Sequence, residues 1–554
     1  MSAGLNMSKL ASRSGYFSFD YSEYPSIIRG GHNLMQIVVS DEPVRAQYKT
    51  ADFLVALNKE TIDLHVEELE DGGSLLCDEE SKPLFQKLKK INIFLIPINK
   101  IAKELGGSLL LRNTAALGAS IALLGGDLKI FKNLVAQEFS AKDPKITENN
   151  FAVCQAGYDY AIKNYGDKIK DILKPRKTKI KMVINGNEAI SLGAVAAGMQ
   201  FSAIYPMTPI SGILHSLALL QEKYGFVCKQ PEDEIAAINM AIGASFAGAR
   251  SLVATSGGGF CLMTEAYGLA GMTETPLVII EGMRGAPATG LPTWTEQGDL
   301  RMVLHAHQGD FPRIVLAAGD IEEAFHLTML AFNLADEYQT PVVVIVDKQI
   351  CESHMSVGLF DYKTYKADVG KLLLKKQDNY KRFALSADGI STRSPVGFGN
   401  YVMANSDEHN EAGFSSEEAQ NRIEQMEKRM QKLQTCAKED MSAPRIIGPK
   451  NADLTIVSWG SNKGAILEAM KNFSNVNFLH LTWISPFPAK EVKNILARAR
   501  RVLNIECNYS AQMSGLIKER TGIEIKNNLL KYNGRPFYPE EIVVQIKKVL
   551  ALKK

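Results

Sequence analysis

Clustered cysteine is the first thing missing from this sequence. Seven cysteines are scattered over 554 residues, at Cys77, Cys154, Cys228, Cys261, Cys351, Cys436 and Cys507. No two lie close together, so CxxC pairs, zinc spacings and ferredoxin-type cluster spacings are all absent. An odd, dispersed set points to reduced thiols and a cytoplasmic chain rather than a disulfide framework. No apolar run is long enough to span a bilayer, and residues 1–18 lack the continuous apolar core of a signal peptide. A surplus of charge is missing too. The formal net charge of +2 gives no basis for electrostatic binding to nucleic acid or a membrane surface. Fixed-period repeats and low-complexity tracts are likewise absent. What is present is a globular composition, 45% hydrophobic and 22% charged, in a chain long enough for three or four domains.

The stretch from Tyr205 to Asp299 carries four unusual clusters, each directly after an apolar, strand-like run. Phe201–Ile204 precedes Tyr205-Pro206-Met207-Thr208-Pro209, and Phe226–Cys228 precedes Gln230-Pro231-Glu232-Asp233-Glu234. Ser251–Ala254 precedes Thr255-Ser256-Gly257-Gly258-Gly259-Phe260, and Leu277–Ile280 precedes Arg284-Gly285-Ala286-Pro287-Ala288-Thr289-Gly290. Loops after the strands of a parallel α/β sheet meet on one edge, where ligands bind. Thr, Glu, Gly and Arg loops are therefore expected to converge on one site.

The flanking regions read as further α/β modules. Before about Lys174, strand candidates are Leu34–Val39, Phe53–Ala56 and Ile91–Ile98, and Asn113–Leu124 reads as a helix whose small residues permit close packing. Residues 1–7 read as a packed helix with no strand before it. The loop from Tyr24 to His32 contains Arg29 and a Gly pair. It reads either as a tight turn or as an anion-binding loop with backbone donors. Lysine-rich Asp167–Lys181 suits a linker. A doubly wound pattern runs from Met182 to about Val357, with strands at Arg313–Ala317 and Pro341–Val346. Residues 361–445 turn polar. There Ser415 and Glu418 form a capping-box pattern ahead of a helix whose Ile423, Met426, Met430 and Leu433 are expected to pack on a neighbouring domain, with Lys and Arg on the other face. His409 reads as a hydrogen-bonded structural residue rather than a metal ligand. A last module has strands at Leu454–Ser458, Val476–Trp483 and Arg501–Glu506.

Two readings compete at each chemical residue. Glu232, Asp233 and Glu234 open an Ala- and Gly-rich helix, where the helix dipole favours acids as caps. A carboxylate turned to the apolar side is instead desolvated, and can hold a proton or share one with a bound heterocycle. The Thr255–Gly259 run lacks the Lys-Ser/Thr ending of a phosphate loop; close backbone approach to a flat ring or to another subunit explains it equally well. Arg284 is either a surface residue or a fork for a substrate carboxylate.

Taken together, YPMTP, QPEDEIAA, TSGGGF and RGAPATGLPTWTEQGDL resemble the α subunit of 2-oxoacid:ferredoxin oxidoreductases, of the type carrying a γ domain fused at the N-terminus. EYPSIIRGGH, RNTAALGASIALLG and FSAKDPKITENN are similar to the γ domain. DEHNEAGF and EKRMQK resemble the segment after the pyrimidine domain, and ECNYSAQ and KYNGRPF resemble the C-terminal domain. The resemblance implies a multidomain α/β fold. A γ-type domain would span 1–174, a doubly wound pyrimidine-binding thiamin diphosphate domain 175–360, a polar connector 361–445 and a transketolase-C-like domain 446–554. It places Met1 near a helix that a strand and a Gly-rich turn normally precede, so either the start site is misassigned or that first strand is missing.

By position, the resemblance implies that Glu234 hydrogen-bonds the aminopyrimidine ring of thiamin diphosphate and favours the imino form that deprotonates the thiazolium carbon. Thr208, Arg284 and Thr289 would meet the substrate; Tyr205, Pro206, Ser256, Gly257 and Gly258 would line the cofactor. Met207 and Ala288 stand where Ile and Ser are usual, and Gly258 where Pro is common. Thiamin enzymes hold magnesium and the diphosphate on a Gly-Asp-Gly…Asn motif, and this sequence contains no Gly-Asp-Gly. The resemblance assigns that motif and the iron–sulfur cluster to a β subunit, so this chain would supply half of an active site, with coenzyme A as co-substrate, ferredoxin as acceptor and no metal of its own. The 2-oxoacid is expected to be 2-oxoglutarate. A non-oxidative thiamin enzyme and a subunit that has drifted from catalysis are the alternatives.

Overall fold

The computed structural model describes residues 2–27, 30–84, 90–138, 144–179 and 181–552. Met1, Ile28 and Arg29 of the candidate anion loop, and Phe139–Asp143 of the FSAKDPKITENN motif lie outside the described residues. The chain divides into two units, Met1–Ile184 with His354–Leu359, and Asn185–Ser353 with Phe360–Lys554.

In the first unit, strands Ala51–Ala56, Leu69–Asp78 and Asn92–Ile96 form a parallel sheet in that order. A second sheet runs Leu34–Ser40, Phe17–Glu23, His354–Val357, Met182–Asn185. The N-terminal helix Ser2–Arg13 buries Met7, Leu10 and Ala11, as its sequence suggests. His32 stacks on His65, with the two Nε2 atoms 2.8 Å apart. The small residues of helix Arg112–Leu123 do what their size permits. A Cβ on Gly118 would stand 2.0 Å from the Cys154 carbonyl oxygen, and one on Gly157 of helix Pro144–Tyr165 would stand 2.1 Å from the Ala115 oxygen. Backbone cannot yield as a flexible side chain would. Gly118→Val is therefore expected to destabilise this unit by about 3 kcal/mol, read as a fall in its unfolding midpoint.

The second unit is built on a seven-stranded sheet. Its order is Trp483–Ser485, Ile314–Ala317, Pro341–Asp347, Leu277–Met283, Ser251–Thr255, Phe201–Ala203, Val227–Lys229. All neighbours are parallel except the first pair. The strand expected over Val476–Trp483 breaks in two. Val476–Leu481 joins a five-stranded C-terminal sheet, while Trp483–Ser485 crosses to the edge of the seven-stranded one.

The connector corrects two expectations. Helix Ala419–Glu439 has Glu418 at its N-cap position with no side-chain cap, because Ser415 instead donates to Asp407. The stripe expected to pack inward is only partly inside, with Met426, Met430 and Leu433 part-buried. Ile423 is half exposed, whereas Lys428, Arg429 and Lys432 are buried. The reason is a buried carboxylate. Glu274 lies 2.6 Å from Lys428 Nζ and 2.6 Å from Lys432 Nζ. Burial works against its charge, but the two ammonium groups and Arg382 outweigh that and hold its pKa below the carboxylate range. Arg429 pairs with Glu408 at 2.7 Å. His409 is buried on Phe383 and contacts the Asp407 carbonyl through Nδ1, a structural role as expected. Among the described residues no His, Cys, Asp and Glu cluster could hold a metal ion, all seven cysteines are free, and no helix is long and apolar enough to cross a membrane.

Candidate functional site

Strand order in the seven-stranded sheet creates a crevice. After Phe201–Ala203 the chain winds to one side, to Val227–Lys229; it then returns to place Ser251–Thr255 on the other side and winds away. The loops leaving these two strands diverge, and the carboxyl edge between them is the switch point where α/β sheets bind ligands. Tyr205, Pro206 and Thr208 lie on one lip. Ser256, Gly257 and Gly258 lie on the other.

Glu234 closes the base. Helix Glu234–Phe246 starts beside it, with Asp233 as N-cap accepting from the Ala236 N–H at 2.8 Å. Glu232 is exposed ahead of that cap, so capping falls to Asp233 alone. Glu234 turns inward and is only 3% exposed. Its Oε1 is buried and meets no donor among the described residues. A group of that kind costs free energy unless a ligand or partner completes it. Helix Gly257–Met272 presses on it from the other lip. A Cβ on Gly259 would stand 2.5 Å from Glu234 Oε1 and 2.1 Å from Thr255 Oγ1, so only glycine fits. A Cβ on Gly258 would meet nothing within 4 Å, which leaves open space over that turn. Ser256 caps the helix in extended conformation without using its side chain, and its buried Oγ has no partner among the described residues. An orphan acceptor at the floor, an orphan hydroxyl at the lip and open space above glycine fit one edge of a flat, hydrogen-bonding heterocycle such as the thiamin pyrimidine.

The substrate-loop residues are only partly gathered. Arg284 follows strand Leu277–Met283, is half-buried, and donates from Nη1 to the Thr208 carbonyl at 2.9 Å. That bond ties the two loops together and leaves the rest of the guanidinium fork available. Burial lowers the Arg284 pKa and nearby Asp299 opposes the shift. Thr289 stands exposed in the same loop, with no hydrogen bond to Arg284 or Thr208 among the described residues.

Sequence reasoning missed what holds this loop. Gln297 is fully buried, and its Nε2 donates to the Trp459 carbonyl at 2.9 Å. Its Oε1 accepts from Asn462 Nδ2 at 2.6 Å and from the Cys507 N–H at 2.9 Å. Asn508 donates to the Gln297 carbonyl, and Gln512 donates to that of Gly298 at 2.6 Å. The ECNYSAQ motif of the C-terminal module therefore clasps the segment that descends from Arg284. Glu506 of that motif is spent within it, accepting from the Met513 and Ser514 N–H groups that open helix Gln512–Thr521. A Gln297→Ala variant removes the acceptor of the buried Cys507 N–H and the shorter of the bonds to the Trp459 carbonyl. It is expected to lose about 3 kcal/mol of stability in thermal unfolding. Glu281 and Asp299, two buried carboxyls on either side of Arg284 in sequence, were also not singled out as functional; Asp299 lies near the end of the RGAPATGLPTWTEQGDL motif, while Glu281 lies in an apolar strand.

Comparison with known proteins agrees with this architecture. A family model for pyruvate flavodoxin/ferredoxin oxidoreductase, thiamine diphosphate-binding, matches residues 192–428. Models for pyruvate ferredoxin/flavodoxin oxidoreductase and for pyruvate:ferredoxin oxidoreductase core domain II match 1–160 and 452–542. The chain is 34% identical to a 2-oxoacid:ferredoxin oxidoreductase subunit alpha of Sulfolobus, over 97% of this chain and 93% of the relative. It is 31% identical to 2-oxoglutarate synthase subunit KorA of Methanothermobacter thermautotrophicus, over 66% of this chain and 98% of the relative. It is also similar to the solved structure of 2-oxoglutarate:ferredoxin oxidoreductase from Magnetococcus marinus with 2-oxoglutarate, coenzyme A and succinyl-CoA bound. The TM-score is 0.91 and the identity 29%, covering 99% of this chain and 97% of that one.

Proposed function

This chain belongs to the 2-oxoacid:ferredoxin oxidoreductase α subunits, and on that premise we propose that it forms the pyrimidine-binding half of a thiamin diphosphate site that oxidises 2-oxoglutarate. The single observation that carries this reading is the buried Glu234 Oε1 at the switch point, without a partner among the described residues and closed in by Gly259. Glu234 would take the pyrimidine ring edge, while Tyr205, Pro206, Ser256, Gly257 and Gly258 would line its faces. Bound thiamin diphosphate supplies the electron sink for decarboxylation. The protein's share is to hold the ring, fix the proton at its edge and clamp the substrate. Arg284 would grip a substrate carboxylate through the donors it does not spend on Thr208, with Thr208 beside it and Thr289 brought in from the exposed loop.

The overall conversion would be 2-oxoglutarate, coenzyme A and two oxidised ferredoxins to succinyl-CoA, carbon dioxide, a proton and two reduced ferredoxins. The bound ligands of the Magnetococcus marinus enzyme and the name of the Methanothermobacter relative, a 2-oxoglutarate synthase subunit, support this choice of substrate. The α-subunit names of the relatives support a multisubunit complex. With no Gly-Asp-Gly and no cysteine cluster in the sequence, the diphosphate site, magnesium and the iron–sulfur cluster are assigned to a β subunit. The proposed domain division is 1–174, 175–360, 361–445 and 446–554, and the free thiols fit a cytoplasmic setting. The test is anaerobic co-expression with the β subunit. Bound iron, bound thiamin diphosphate and 2-oxoglutarate-dependent viologen reduction are expected only in the complex. Turnover of the oxoacid by this chain without iron would replace the proposal with a non-oxidative thiamin enzyme.

A further inference from the structure

A second buried carboxyl lies beside the proposed site with no task in the chemistry above. Strand Leu277–Met283 alternates its side chains, and Leu277, Ile279 and Met283 enter the core that Ala237 and Phe260 share. Glu281 therefore points to the same side, towards helices Glu234–Phe246 and Gly257–Met272. It stands in register with Thr255, whose Oγ1 borders Gly259 together with Glu234 Oε1. Glu281 is fully buried, and neither oxygen meets a backbone or cationic donor among the described residues. The side chain that bears on it most strongly is another carboxyl, that of Asp299. Asp299 is itself buried, and its Oδ2 would be 2.5 Å from a Cβ on Gly257, so the helix start is shaped around it.

The groups bearing on this pair come from every neighbouring element. Asp347 ends the next strand, Cys261 lies on helix Gly257–Met272, and Cys351 lies on helix Lys348–Glu352, where Lys348 pairs with Glu352. Glu296 and Arg284 bear on Asp299. Those bearing on Glu281 itself are acids and thiols; the guanidinium acts on Asp299. Two carboxyls in contact away from water cannot both be ionised. The environment also divides the proton between them. Burial and then Asp299 push Glu281 well above the carboxylate range. Burial raises Asp299 too, but its bond from Glu281 and the charge of Arg284 oppose the rise.

We propose that Glu281 is a positioning residue for the oxoacid site: it keeps the shared proton, donates its O–H to Asp299, and so holds Asp299 against the start of the Gly257 helix rather than across the face of Arg284. The fork of Arg284 then remains free for substrate. This inference rests on reading Arg284 as the carboxylate-binding group. Without the Glu281 donor, Asp299 is left with Arg284 as its strongest attraction and competes with the substrate for it.

The test uses the reconstituted complex with Glu281→Gln, Glu281→Leu, Arg284→Ala and the Glu281→Leu/Arg284→Ala double variant. Glu281→Leu is expected to raise the oxoacid KM about tenfold with kcat within threefold. Glu281→Gln, which still donates, should restore most of that loss, and Glu281→Leu should add nothing in the Arg284→Ala background. Infrared spectra of the complex without oxoacid should lose a protonated-carboxyl C=O band in both Glu281 variants. The folded state keeps a proton that the unfolded chain releases above the ordinary carboxylate range, so unfolding midpoints should fall as pH rises through that range, less steeply in Glu281→Gln. Equal damage from Gln and Leu, an unchanged infrared band, or full additivity with Arg284→Ala overturns the proposal. If Arg284→Ala alone leaves KM unchanged, the reading of Arg284 fails, while the infrared band and pH slope still decide whether Glu281 holds the proton.

Discussion

Replacing Arg284 by Ala is expected to raise the KM for the 2-oxoacid by roughly two to three orders of magnitude, while thiamin diphosphate binding stays near its normal level. A forked guanidinium makes two charge-assisted bonds to a carboxylate, each worth about 1.5–3 kcal/mol, and a factor of ten corresponds to about 1.4 kcal/mol. One Arg284 donor is already engaged by the Thr208 carbonyl at 2.9 Å, which orients the plane without consuming the fork. Arg284→Lys should recover only part of the loss, because an ammonium keeps the charge but not the paired geometry. Steady-state viologen reduction by the complex, with cofactor binding measured separately, is the check. An unchanged KM in Arg284→Ala would remove this residue from substrate binding. A parallel loss of cofactor would mean that the loop has collapsed, and the Gln297→Ala variant would then show the same pattern.

The alternation of apolar runs with Gly-, Pro- and acid-rich clusters made the seven-stranded sheet readable. Its four central loops could be placed because a parallel strand delivers its C-terminal loop to one edge whatever the details. Thr208 and Arg284, 76 residues apart, do meet there. Other features depend on distant partners. Leu69–Asp78 is the middle strand of the first parallel sheet, but Gly72-Gly73 reads locally as a turn. Gly72 has φ +84°, and the pairing with Ala51–Ala56 shifts register along this strand. Helix Ala419–Glu439 buries basic residues for a related reason. Hydrophobic periodicity assigns Lys428 and Lys432 to solvent, and what brings them inside is distant in sequence: Glu274, more than 150 residues earlier, with the Phe383 and Gln339 carbonyls as further acceptors. Gln297 is the same lesson at the site. A glutamine in a polar loop carries no local signal, and its meaning comes from Trp459, Asn462 and Cys507 in the last module.

Glu234→Gln should separate stability from activity. The buried Oε1 meets no donor among the described residues, so the acidic side chain is retained against the cost of burying it, as polar groups at functional sites often are. An amide of the same shape has no charged form to desolvate. The unfolding midpoint of the variant without cofactor should therefore stay level or rise. Activity of the complex with thiamin diphosphate should instead fall by about a hundredfold or more. An amide cannot exchange a proton with the ring edge, and general acid–base groups contribute factors of about 10² to 10⁴. The two readouts exclude different errors. Full activity with a lowered midpoint would make Glu234 a structural residue of its helix, alongside the cap Asp233. Lost activity with a lowered midpoint would mean that Gln does not fit under Gly259, where the clearance is small enough to refuse a single methyl group. Only the combination of lost turnover and preserved folding assigns to Glu234 the proton at the cofactor's edge.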